Sequence, residues 1–239
     1  MIGILLQALI AGLGTCLGAA VVVFFGHMNG RTLSLLLGFA SGIMVAVVIM
    51  DLLPASLNHG GPVTCLAGFA GGFLVVKLMD LALPLIIPGG NTHQLYLRMG
   101  YLIALGIALH DLPEGIAIAA GYSASPVLGP ALALAIGLHN IPEGMATAAP
   151  LRAGGMSGTR VVAVNALVSL VTPLGTLLGL FILHASPEFN ALLLALAAGA
   201  MIYIVTGKLA PVSLNSHRVP AVLGMMAGFL MMLGLKLFF

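Results

Sequence analysis

From residue 2 to residue 238 the chain is a succession of long apolar runs, separated only by short polar, glycine or proline breaks. A helix needs about 20 consecutive, mostly apolar residues to cross a bilayer. Reading between the breaks gives eight runs of roughly that length, near 2–25, 32–57, 62–87, 94–122, 126–150, 157–184, 188–208 and 218–238. Hydrophobic residues make up 61% of the sequence and charged residues 6%, whereas soluble domains carry roughly 25% charge. No soluble core could hide this much apolar surface. The expected fold is an all-α polytopic membrane protein of eight transmembrane helices, forming a single domain over 1–239. Met1 leads directly into apolar sequence without a basic stretch, and further spans follow, so the first run reads as a retained helix.

The basic residues set the expected orientation. Arg31, Arg98, Arg152, Arg160, Lys208 and Arg218 all fall on odd-numbered connections, and only Lys236 lies clearly opposite. Positive charge marks the cytoplasmic side, which places both termini outside. The formal charge of +2 is thus a topology signal and gives no indication of nucleic-acid binding. Cys16 and Cys65 have no CxxC spacing and read as packing residues.

Two phrases break the apolar pattern: HDLPEG at 110–115 and HNIPEG at 139–144. On a helix, positions four apart share a face, so His110 points with Glu114 and His139 with Glu143, while Asp111 and Asn140 stand beside them. Pro113 and Pro142 remove backbone hydrogen bonds to Leu109 and Leu138, which predicts a kink or break beside each cluster. Gly115 and Gly144 allow another backbone to approach. Carboxylates near the middle of a span cost about 2.5–3.5 kcal/mol each on insertion scales, so something must compensate them. Lys77 has its own partner three residues on, Asp80, and is not free to do so. Two imidazoles and two carboxylates suit zinc, iron, manganese or cobalt. A proton relay without metal is the other chemistry that these residues allow.

The paired phrases, on the fourth and fifth of eight spans, resemble the signatures of the ZIP (Zrt/Irt-like) family of divalent-metal transporters, especially its short prokaryotic branch. LGFASGIMVAVVIMDLLPASL, SLVTPLG and LAAGAMIYIV on the second, sixth and seventh spans agree. The resemblance implies an eight-helix bundle in the inner (plasma) membrane that carries divalent metal, zinc above all, into the cytoplasm. It implies a first metal position at His110, Glu114, His139 and Glu143, with Met44 nearby. A second, adjacent position would use Asp111 and Asn140 and share the two glutamates. Asp51 matches a position near the outer entrance. The implied partners are divalent metal ions and the lipid bilayer, with no cofactor and no nucleic acid; a homodimer is left open.

Two departures bear on the second position. Thr172 stands before Pro173 where relatives often have Glu, and Gly207 and Lys208 precede Pro211 where an acidic pair is usual. Both remove negative charge from the pathway, so the expectation is one firmly held metal, with Asp111 a weaker ligand or proton acceptor. Lys208 reads either as the end of the seventh helix at the cytoplasmic surface or as a gate. Asp80 is open to a role in the exit path. His27, His93 and His217 fall on the cytoplasmic side and His59 and His184 outside, as incidental loop residues or as aids to release and capture. Uptake is expected to fall in acid, because imidazolium does not bind metal. The rival readings are a metal sensor or transport-inactive relative, and an intramembrane metal-dependent hydrolase, against which the absence of HExxH counts.

Overall fold

A computed structural model of the chain describes residues 1–25, 29–124, 127–182 and 187–238. Every element among these residues is helical: α1 (Ile2–Phe25), α2 (Gly30–Val47), α3 (Leu53–Ile86), α4 (Thr92–Ala124), α5 (Leu128–Ala153), α6 (Gly158–Ser169), α7 (Val171–Ile182), α8 (Pro187–Ile204), α9 (Ala210–Ser216) and α10 (Arg218–Phe238). Two π-helical turns, Val48–Leu52 and Val205–Leu209, join α2 to α3 and α8 to α9. Asn29 opens α2 by accepting a hydrogen bond from the Thr32 amide at 2.9 Å, the usual job of an N-capping side chain.

Among the described residues, five stretches are long and apolar enough to cross a membrane: Ile2–Phe25, Gly30–Ile86, Thr92–Tyr122, Gly158–Phe181 and Glu188–Ser216. Large side chains such as Phe24, Leu85, Phe181 and Leu230 stand exposed on the outside of the bundle. Exposed apolar surface on this scale suits a bilayer as solvent.

The break expected between 57 and 62 falls at Gly61, whose φ of 74° is a left-handed conformation that glycine adopts without strain. The helical backbone continues through Pro113 and Pro142, so of the expected kink or break it is the break that does not occur in α4 and α5. Lys208 does not end the seventh run either: helix continues through the π-turn to Ser216.

The helices associate through small residues. α1 packs on α5 and α4 on α7, while α3 packs on α8 and α2 on α10. A side chain at Gly144 would strike the carbonyl of Thr15, and one at Gly115 the carbonyl of Thr172. These are the close backbone approaches expected of the two glycines, and they are typical of small-residue helix contacts.

Candidate metal centre

The two polar phrases meet inside the bundle, where α4 packs against α5. His110, Asp111, Glu114, His139, Asn140 and Glu143 are all buried. The pairing is crossed between helices. His110 Nε2 lies 3.1 Å from Glu143 Oε2, and His139 Nε2 lies 3.0 Å from Glu114 Oε1. His110 Nε2 also lies 3.9 Å from Glu114 Oε1 and 3.4 Å from Asp111 Oδ1. His110 Nδ1 faces the Gly106 carbonyl at 3.3 Å. That contact turns the ring so that Nε2 points into the cluster, as second-shell contacts do for ligating imidazoles.

Several buried oxygens have no hydrogen-bond donor: both of Asp111, Oε2 of Glu114 and Oε1 of Glu143. Leaving buried carboxylate oxygens unmatched is costly, and a cation among them would satisfy them. Ligand atoms of His110, Asp111 and Glu114 lie within 4.8 Å of one another. Asn140 is differently engaged. Its amide nitrogen donates to the Ala11 carbonyl at 3.1 Å, while its Oδ1 is unmatched. Met44 is fully buried in the same apolar cluster as Ile107 of α4 and Ala146 of α5.

The other predicted residues are placed elsewhere. Thr172 is buried with its hydroxyl unmatched, and its backbone lies against Gly115. Asp51 pairs with Lys236 at 2.7 Å. Asp80 does not pair with Lys77: its Oδ1 meets Lys208 Nζ at 2.7 Å and its Oδ2 accepts from the Tyr203 hydroxyl at 2.7 Å. The reason is geometric. Lys77 and Asp80 sit about 60° apart around α3, Lys77 points outward, and α8 with its π-turn packs on the side of α3 that carries Asp80. His59 bonds locally to the Ala55 carbonyl at 2.7 Å, and His217 lies 3.1 Å from the Ser216 hydroxyl. His93 is exposed. His27 and His184 lie outside the described residues. Cys16 and Cys65 are free thiols, Cys65 buried.

Sequence reasoning missed Asn165, Ser169 and Thr176. All three are buried on α6 and α7, and Thr176 donates to the Gly115 carbonyl at 2.9 Å. The spacing of polar residues at 165, 169, 172 and 176, a helical stripe through an apolar run, is the signal that would have found them.

Apolar helices around a buried imidazole and carboxylate cluster define a polytopic membrane protein with a centre suited to a transition-metal cation. The ZIP zinc transporter family model matches residues 89–236. "Zinc transporter ZupT" of Corynebacterium glutamicum is 32% identical, with 94% of both chains covered, and that of Chlorobium phaeovibrioides is 35% identical over 95% of this chain and 94% of the other. "Zinc transporter ZIPB" of Bordetella bronchiseptica is 33% identical over 92% of this chain and 75% of the other. The chain belongs to the ZIP family, whose members are metal transporters and not enzymes, which removes the hydrolase reading.

Proposed function

We propose that this chain carries divalent transition-metal cations into the cytoplasm, zinc first, with iron, manganese, cobalt and cadmium as competitors. The path runs through the His/Glu cluster of α4 and α5, across eight membrane spans with both termini extracytoplasmic. The observation that carries the reading is the crossed arrangement, His110 on Glu143 and His139 on Glu114, with unmatched carboxylate oxygens around it. The zinc transporters named above supply the choice of metal.

In this reading His110, Glu114, His139 and Glu143 hold the ion, and Met44 lends a soft thioether beside them. Asp111 and Asn140 stand at the edge as weaker oxygen donors. Thr172 in place of a carboxylate, and the engagement of Asn140 with α1, favour one firmly held ion over two. Protonation of either imidazole releases metal, so uptake falls as the medium is acidified. The test is zinc uptake into proteoliposomes holding the purified chain, with the other metals as competitors. Absence of zinc-dependent flux with zinc still bound would favour the sensor reading instead.

A further inference from the structure

Asp51–Lys236 and Asp80–Lys208 stand in equivalent places of two related halves. Residues 35–58, LLLGFASGIMVAVVIMDLLPASLN, and residues 192–215, LLLALAAGAMIYIVTGKLAPVSLN, are identical at 12 of 24 positions. The structures repeat as well. Each segment contains a π-turn, Val48–Leu52 in one and Val205–Leu209 in the other, followed by a proline, Pro54 or Pro211. The neighbouring helices repeat the relation. A side chain at Gly72 would strike the Leu196 carbonyl, and one at Gly228 the Phe39 carbonyl. Leu196 and Phe39 occupy the same place in the two segments, and GGFL at 71–74 corresponds to AGFL at 227–230.

By this correspondence Asp51 matches Lys208 and Asp80 matches Lys236. The two ion pairs are therefore the same pair with its charges exchanged, each at 2.7 Å. They lie far apart. Ser56, just past the first π-turn, donates to the Ala191 carbonyl at 2.8 Å, and the helical backbone from residue 191 to Lys208 spans about 25 Å. Each pair ties a π-turn to the helix alongside: the first turn to α10, the second to α3. Lys236 also bonds the Met50 carbonyl, the group that Pro54 leaves without its helical donor.

We propose that these pairs are two fasteners, one toward each end of the bundle, that lock α2 to α10 and α8 to α3 throughout the transport cycle. Both are closed in one and the same conformation, as fasteners must be, and cross-linking separates a fastener from a gate that closes only for part of the cycle. Three of the six acidic residues in the sequence, Asp111, Glu114 and Glu143, belong to the metal centre and two to these pairs. Asp80 and Lys208 are largely withdrawn from the surface, where an unpaired charge is costly; Asp51 and Lys236 are half exposed, and the second bond of Lys236, to the Met50 carbonyl, adds to their hold.

The polarity exchange supplies the test. Two readouts are taken on the full chain: thermal unfolding in detergent, and zinc uptake in proteoliposomes, which alone rests on the transport reading. Lys208→Asp and Asp51→Lys bring like charges together and are expected to lower the unfolding temperature and cut uptake at least ten-fold. The exchanged doubles, D80K with K208D and D51K with K236D, are expected to unfold later and take up zinc faster than the corresponding singles, though short of wild type, since they do not restore the Tyr203–Asp80 and Lys236–Met50 bonds. Doubles that unfold as early as the singles would overturn the proposal. Cysteines at 51 with 236 and at 80 with 208, in a C16A/C65A background and joined by a short bifunctional reagent, separate fastener from gate. Uptake should survive cross-linking at both ends. Its loss on cross-linking either pair would also overturn the proposal. A wild-type chain without zinc flux would leave the unfolding comparison to decide alone, and would count against the transport reading only.

Discussion

Glu114 and Glu143 each hold an imidazole of the opposite helix at about 3 Å, and in the proposed reading each is also a ligand of the incoming cation. Replacing either by Ala removes a ligand and releases the histidine facing it. Because loss of an outer-shell partner alone costs 10–100-fold in metal affinity, zinc affinity should fall more than about 100-fold in E114A and E143A, measured by calorimetry, with uptake abolished. Wild-type flux in either variant would remove the cluster from the path. Asp111 tests the number of ions. D111N should leave about one zinc per chain by metal analysis, while tight binding of two by wild type would overturn the single-ion reading. At this scale the His-x-x-x-Glu spacing was legible because helical geometry alone puts the two side chains on one face. The crossed partnering was not, since it depends on how α4 and α5 pack. The same limit explains Lys77 and Asp80: spacing along one helix says who can meet, and a third residue from another helix, Lys208, took the partner.

Among the elements, α1 packs against α5 and α7 against α4, and these contacts flank the buried His/Glu cluster. Gly144 sits against the Thr15 carbonyl with no room for a side chain. Gly144→Leu should destabilise the folded chain by about 1–3 kcal/mol, as overpacked cores do, and thermal unfolding in detergent would measure it. An unfolding temperature equal to wild type would show that α1 yields. Thr176→Val, which removes the bond to the Gly115 carbonyl, should cost about 0.5–1.5 kcal/mol by the same measurement. The all-helical class was readable from apolar run length. Helix continuity was not. Pro113 and Pro142 signalled a kink or break, and α4 and α5 carry both within helical backbone, where neighbouring helices can compensate the lost donor.

For the whole molecule, the charge asymmetry of the connections makes a prediction independent of the metal centre. Single cysteines at positions 31, 98 and 152, in a chain lacking Cys16 and Cys65, should react with an impermeant thiol reagent only from the cytoplasmic side, and one at 59 only from outside. Labelling of 31 and 98 from opposite sides would defeat the eight-span topology. The membrane class was legible from composition and run length, because no aqueous fold accommodates such a surface. The likeness of the two halves was harder to read: the second segment lies 157 residues after the first, and their common geometry emerges only when each is seen against its neighbour. The two π-turns add a chronology. Such a turn holds one residue more than regular helix requires, and the surplus falls at the same place in both halves. One insertion followed by copying accounts for that more simply than two separate insertions.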